Sequence, residues 1–408
     1  MFKKPIFIFV FCLLATATLQ AQNFFTCKGK DILGPDGNIF QARGTNLGNW
    51  LVPEGYMFGF KAANSPRLID QTLSELLGQS ETSKFWKKFL DNYITADDIH
   101  YLKIIGMNSI RIPFNYRLFT NEDYMGANDS TRGFYYLDKV ISYCRKEKIY
   151  VILDMHCAPG GQTGDNIDDG DGYPFLFESM ESQRECIDIW KRIAFHYRNE
   201  KTIIGYDLLN EPIAHYFDKE KFNHLLEPLY KEITKAVRQV DKNHLIFLGG
   251  AHWDSNFQPF GKPFDKLLVY TFHKYWTAPS KEVIQEYLDF SNKFNVPIYC
   301  GETGENDDAW INTFRKILDS NNIGWHFWPY KKLNNTRGIL TFEKPANYDS
   351  VTNYANEARP DFESIRNKRP ANMELIKIAL QQFLENCRFA NCIQNKGYIK
   401  ALGFVQKD

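Results

Sequence analysis

The sequence predicts an α/β chain folded as one (β/α)8 TIM barrel with long loops at the C-terminal face of its strands. Three observations carry this expectation. Eight short apolar runs alternate with segments of helical spacing along the whole chain. No G-x-G-x-x-G or G-x-x-x-x-G-K-[ST] follows any of the runs, which disfavours a doubly wound open sheet. The length of 408 residues suits a barrel of this kind as a single domain.

The elements follow in order. Phe40 to Leu47 reads as the first strand, ending in a Gly/Asn-rich turn. Ala96 to Ile105 has helical spacing, with Thr95 as N-cap. Asn108 to Ile112 is a short strand stopped by Pro113, and Leu137 to Lys148 a helix. Ile149 to Met155 is continuously apolar, as a strand buried on both faces should be. Glu181 to Tyr197 is a helix, Ile203 to Leu209 a strand, and Lys219 to Val240 a helix. His244 to Leu248 and Leu267 to Phe272 are strands, and Lys281 to Phe294 a helix. Val296 to Cys300 is a strand, Ala309 to Ser320 a helix, and Ile323 to Trp328 the last strand. A helix over Asn372 to Asn386 closes the ring. Four connections are long: 50–94, 113–135, 156–180 and 329–370. A barrel sends them all to the C-terminal face, where they build an extended cleft.

The N-terminus reads differently. Met1-Phe2-Lys3-Lys4 is basic, Phe7 to Leu14 is apolar, and small residues follow to Ala21. This is the pattern of a secretory signal, so residues 1–21 are expected to be cleaved on export to the periplasm or medium. The apolar run is short for a membrane span of about 20 residues. No other long apolar segment occurs, so no membrane span is expected in the mature chain, residues 22–408. Balanced charge, 49 basic against 49 acidic residues, argues against a nucleic-acid partner. Seven cysteines remain after the signal, an odd number, so at least one thiol is free. Their scattered spacing makes no zinc motif; Cys387 and Cys392 are near enough to bridge if the backbone turns between them.

Function is read from what ends each strand. Strand 1 ends in Asn46, strand 2 carries Arg111, and strand 3 ends in Asp154 and His156. Strand 4 ends in Asn210-Glu211-Pro212, strand 6 in His273 and Tyr275, strand 7 in Glu302 and strand 8 in Trp328. Polar groups abutting buried strands are costly unless paired or functional. In a barrel they converge on one mouth. A salt bridge would explain one such glutamate, but not the whole set. Two glutamates facing each other across a pocket can divide glycoside hydrolysis between a proton donor and a nucleophile or base.

Asn210-Glu211-Pro212 resembles the acid/base signature of glycoside hydrolase family 5, in the clan of (β/α)8 retaining hydrolases. Arg43-Gly44-Thr45-Asn46-Leu47-Gly48-Asn49-Trp50-Leu51 resembles that family's first strand, particularly in its exo-β-1,3-glucanase-like branch. Gly106 to Pro113 resembles the second, and Asp154-Met155-His156 with Ala158 to Gln162 the third. His273-Lys274-Tyr275, Gly301-Glu302 and Gly324 to Trp328 resemble the sixth, seventh and eighth. The resemblance spans roughly residues 30–385 in the same order. It implies Glu211 as acid/base and Glu302 as nucleophile. It implies a substrate-binding set of Asn46, Arg111, His156, Asn210, His273, Tyr275 and Trp328. Asn210 would hold the sugar 2-hydroxyl, and His156 would contact the sugar at the cleavage subsite. Arg111 and Tyr275 would donate to Glu302 and keep it ionised. His273 would sit beside Glu211, and Trp328 would floor the sugar ring. No metal and no cofactor is implied.

Aromatic residues make up 15% of the chain, and flat rings suit pyranose faces. Trp50, Tyr56, Phe58, Tyr173, Trp253, Trp276 and Tyr330 lie in or just after expected strand-end loops; Trp253 and Trp276 are the candidates for sugar contact. The acidic stretch Gly164 to Tyr173 invites calcium, but its spacing fails the D-x-[DN]-x-[DN]-G loop. A solvated turn or hydroxyl acceptors for substrate are its other readings. The expected activity is retaining hydrolysis of a β-glucan-type polysaccharide or oligosaccharide, of exo-β-1,3 or endo-β-1,4 type. An endo-β-mannanase is the alternative within the family. A carbohydrate-binding barrel without turnover is the alternative of another class, and the presence of both glutamates argues against it. A metal-dependent barrel hydrolase would need an H-x-H on strand 1, where only Asn46 stands. Oligomeric state is not legible.

Overall fold

Eight parallel strands close a barrel in chain order: β1 (Arg43–Asn46), β2 (Ser109–Asn115), β3 (Tyr150–Cys157), β4 (Ile203–Asp207), β5 (Leu245–Gly249), β6 (Leu268–Lys274), β7 (Ile298–Gly304) and β8 (Gly324–Trp328). The last pairs with the first, Phe327 opposite Thr45, so no edge is left. This is a computed structural model describing residues 24–404; the expected signal segment, 1–21, lies outside the described residues. Among the described residues no helix is long and apolar enough to cross a membrane.

The barrel interior has two layers. Ile152, Ile204, Phe247, Val269 and Tyr299 cluster at the strand beginnings, with Phe25 beside the N-terminal hairpin (Thr26–Lys28 and Asp31–Leu33). Phe25 packs edge-on against Tyr150 at 4.7 Å and helps close that end. Toward the strand ends the buried interior turns polar, with Asn46, Arg111, Asp154, Asp207 and Glu302. Neighbouring residues such as Leu153 and Met155 join the apolar shell under the helices. A strand buried on both faces must therefore read as continuously apolar until it meets the site.

The outer helices lie where expected, at Ala96–Ile105, Arg132–Glu147, Met180–Tyr197, Lys219–Val240, Gln285–Phe294 and Asp308–Ser320, although the second starts before the expected Leu137 and the fifth after the expected Lys281. At the first of these, Asp98 Oδ2 accepts from the Thr95 N–H at 2.7 Å and from Thr95 Oγ at 2.8 Å. Its other oxygen meets buried Lys331 Nζ at 2.6 Å and the Tyr330 hydroxyl at 3.0 Å. The helix start is thus tied to the segment after β8.

Four expectations change. Pro113 does not stop β2, which runs on to Asn115 with Pro113 opposite Asp154. A proline removes one ladder donor but leaves an extended backbone accessible. The connection 50–94 contains helices Pro66–Leu77 and Gln79–Tyr93, which bury Ile69, Leu73 and Leu76, and Phe85, Trp86 and Phe89. The helix Met373–Asn386 does not close the ring. It packs on Gln79–Tyr93, and its Phe383 stacks on Phe58 at 5.0 Å. Lys396–Ala401 lies beside Asp308–Ser320 instead. Finally, the seven cysteines among the described residues are all thiols, so Cys387 and Cys392 do not bridge.

Candidate active site

The site is assembled around one cation. Arg111, wholly buried on β2, donates through Nη1 to Glu302 Oε1 at 2.5 Å and to Asn46 Oδ1 at 3.1 Å. Nη2 donates to Asn210 Oδ1 at 3.0 Å and lies 3.0 Å from Asp154 Oδ1. Nε donates to Asp207 Oδ2 at 2.9 Å. Burial lifts the carboxyls of Asp154 and Asp207 to about 7 against the pull of Arg111.

Glu302, on β7, is buried and receives a second bond from the Tyr275 hydroxyl, 3.1 Å from Oε2. Charge-assisted donors on both oxygens suit a carboxylate that attacks. Glu211 has different surroundings. It follows β4 in the left-handed region, φ +47°. Thr163 Oγ donates to its carbonyl at 2.8 Å, and Gln162 Nε2 donates to that of Asn210 at 2.8 Å. Its side chain meets His273 Nδ1 at 2.9 Å and, among the described residues, makes no salt bridge to Arg or Lys. Burial lifts its pKa to about 7. Glu211, His273 and Glu302 each offer an atom within 4.8 Å of the other two.

The histidines are neutral, because burial pushes His156 down to about 4 and His273 to about 3. His156 Nδ1 bonds Asp154 Oδ2 at 2.8 Å, and its ring lies parallel to Trp328 with centroids 5.7 Å apart. Trp328 donates from Nε1 to the Tyr56 hydroxyl at 2.6 Å. A Cβ at Gly48 would come within 2.4 Å of the Trp328 ring, so this indole needs glycine there. Asp154, His156 and Glu302, like Glu211, His273 and Glu302, are near enough to share a metal ion. In both groups the cation already bonded to Glu302 is Arg111.

These groups surround a cleft of about 740 Å³. The nine residues expected from sequence gather here, though not all face the opening. His156, Glu211, His273, Tyr275, Glu302 and Trp328 line it. Asn46, Arg111 and Asn210, expected to bind substrate, have no exposed surface and do not line it. Asn46 and Asn210 instead accept from Arg111, and Asn46 Nδ2 donates to the carbonyls of Gly301 and His326.

Of the loop aromatics, Tyr56, Trp253 and Trp276 line the cleft, while Trp50, Phe58 and Tyr330 are core. Tyr173 packs on Phe217 and Phe222. The buried carboxylates of the acidic loop have protein partners. Asp168 accepts the N–H groups of Thr163, Gly164 and Gly170, while Asp169 accepts from Arg117, Asn115 and the Arg67 N–H. Sequence reasoning missed Asp207, Asp254, Glu54 and Glu305. Asp207 was legible as the one charge inside an apolar run. Asp254 and Glu54 sit in irregular segments with no local pattern.

Residues 70–334 match the family model of cellulase, glycosyl hydrolase family 5. Among curated proteins, a β-xylosidase of Phanerodontia chrysosporium is 35% identical over 350 residues, covering 76% of this chain and 71% of that protein. Endoglucanase C of Acetivibrio thermocellus is 26% identical over 62% of this chain and 89% of its own length. A glucan 1,3-β-glucosidase of Candida oleophila is 26% identical over 69% and 68%. Among solved structures, an endogalactoceramidase superposes with a TM-score of 0.61 at 16% identity, covering 93% of this chain and 84% of that one. Endoglucanase Cel5A of Thermotoga maritima does so at 0.52 and 21%, covering 73% and 91%. At such identities the structural likeness speaks for the fold.

Proposed function

The chain belongs to glycoside hydrolase family 5, and from that premise we propose that Glu302 and Glu211 hydrolyse a β-glucan-type polysaccharide or oligosaccharide by double displacement. One observation carries the reading: the two glutamates offer oxygens within 4.8 Å of each other from opposed surroundings. Retaining glycosidases hold their carboxyl groups about 5–5.5 Å apart, whereas inversion needs roughly 6.5–9.5 Å to admit a water. Glu302, bonded to Arg111 and Tyr275, attacks the anomeric carbon as a carboxylate. Glu211, raised to about 7, gives its proton to the departing oxygen. Water then gives a proton back to Glu211 and displaces Glu302 from the sugar.

The substrate side follows from the rim. Trp328 and His156 offer a parallel pair of rings beside the two glutamates, and Trp253 and Trp276 line the same cleft. The endoglucanase and glucan 1,3-β-glucosidase relatives support a β-glucan, and the β-xylosidase widens the class to other β-glycosides. Residues 22–408 act as one exported domain, and residues 1–21 as its signal.

The test is product analysis on β-1,3-, β-1,4- and β-1,6-glucans, mannan, xyloglucan and aryl β-xyloside, with Glu211→Gln and Glu302→Gln alongside. A single sugar released from one linkage, lost in both variants, supports an exo enzyme. A ladder of oligomers supports an endo enzyme, and turnover of mannan alone the mannanase. Binding without turnover on every substrate overturns the catalytic reading.

A further inference from the structure

The turn after β5 carries three successive non-glycine residues in the left-handed region: His252 at φ +57°, Trp253 at +62° and Asp254 at +55°. L residues adopt this region reluctantly, and such strain persists only where surrounding contacts hold it. Here it delivers Asp254 beneath the candidate acid. Asp254 is wholly buried. Its Oδ2 accepts the Glu211 N–H at 3.3 Å and lies 3.2 Å from His273 Nε2. Its Oδ1 has no hydrogen-bond partner among the described residues. A Cβ at Gly249 would come within 2.1 Å of that oxygen, so glycine leaves it room.

The charges facing Asp254 do not favour a carboxylate. They are Asp207 on β4, Glu211 after it, His273 on β6, and the hydroxyls of Tyr230 and Tyr287 on flanking helices; Arg111 acts from beyond Asp207. Burial, with Asp207 and Glu211, lifts Asp254 well above the usual carboxylate range against the pull of Arg111 and the Glu211 N–H. His273 is neutral and carries one ring proton. With that proton on Nε2, Nδ1 would be an acceptor and would draw the acid proton of Glu211 to itself. With it on Nδ1, His273 donates to Glu211 Oε1 and leaves the acid proton on the other oxygen, free for substrate. Nε2, which has no hydrogen-bond partner among the described residues, then needs a donor, and Asp254 Oδ2 lies 3.2 Å away.

We propose that Asp254 is a positioning residue: as a neutral carboxylic acid it donates to His273 Nε2, fixes the ring proton on Nδ1, and so keeps the proton of Glu211 directed at the glycosidic oxygen. The same tautomer donates to the Glu211 carboxylate that remains after the first step. The inference rests on Glu211 being the acid/base, and its test separates the two claims.

Wild type, Glu211→Gln, Asp254→Leu and Asp254→Asn are compared by kcat/KM on phenyl and 2,4-dinitrophenyl β-glycosides of the sugar that wild type accepts. Only the phenol leaving group needs acid assistance. Glu211→Gln is expected to lose about 10²-fold or more on the phenyl glycoside and little on the dinitrophenyl one. Asp254→Leu is expected to show the same split, losing about tenfold or more on phenyl alone. Asp254→Asn, which can still donate, stays within about threefold of wild type. If Glu211→Gln shows no split, the acid/base reading fails. If Glu211→Gln splits while Asp254→Leu does not, or Asn is as damaging as Leu, the proposal fails. Nitrogen-15 NMR of histidine-labelled wild type, with His273→Gln for assignment, checks the tautomer without a folding risk. A protonated Nδ1 and bare Nε2 support the proposal, and the reverse overturns it.

Discussion

Arg111 Nη1 donates to Glu302 Oε1 at 2.5 Å, and neither side chain has appreciable contact with solvent. That one guanidinium also bonds Asn210, the residue before Glu211, so it links the strand that carries Glu302 to the segment that carries Glu211. Its planar fork sets the spacing on which double displacement depends.

Replacing that cation should be costly twice over. Arg111→Met leaves Asp154, Asp207 and Glu302 buried with no cation in contact. Removing one member of a buried ion pair costs about 3–5 kcal/mol. Urea unfolding of the variant should show a loss of that size together with abolished turnover. Wild-type stability would mean that the three carboxyls find other compensation.

As the proposed acid, Glu211 is expected to set the alkaline limb of activity. It must be protonated to act as acid, so kcat/KM should fall as pH rises through about 7. Stability has the same sign. The folded pKa lies above the ordinary carboxylate value, so the folded chain binds more protons between about 4.5 and 7, and stability drops as pH rises across that window. Glu211→Gln removes this loss and should unfold at a higher temperature than wild type at pH 8, while being at least as sensitive at pH 4. A pH series of melting curves checks this.

Lys331 is a structural counterpart that does not line the cleft. It is wholly buried and meets Asp98 at 2.6 Å and the carbonyls of Tyr93 and Cys387 at 2.5 and 3.0 Å. Lys331→Met should destabilise by about 3–5 kcal/mol by stranding Asp98. Adding Asp98→Asn should restore part of the loss, which a double-mutant cycle in urea would measure. Strictly additive effects would deny the coupling.

Trp276 is 79% exposed at the rim and takes φ +51° after β6. An indole this exposed contributes little to the core. Trp276→Ala should leave the melting temperature unchanged and raise KM on a polymeric substrate several-fold, with little effect on an aryl glycoside. Equal effects on both would remove it from the polymer-binding surface.

The barrel was legible because its strands are buried on both faces and read as apolar runs, and the site because polar residues end those runs. Lys219–Val240 falls on the expected boundaries. Legibility failed where the chain leaves the βα rhythm. Within 50–94, the helix Gln79–Tyr93 packs Phe85 and Phe89 against Phe383, far along the chain, a partner invisible to a local pattern. The burial of Asn46 and Arg111 behind the cleft was equally hidden, since a strand-end position does not say how deep a side chain lies. Asp254 needed a strained turn that no sequence signal announces.

The most direct test of the central claim is the anomeric form of the first product, followed by proton NMR during early hydrolysis of a β-linked substrate. Double displacement through Glu302 predicts that the β-anomer appears first and mutarotates afterwards. The α-anomer appearing first would contradict it and would leave Glu302 no role as nucleophile.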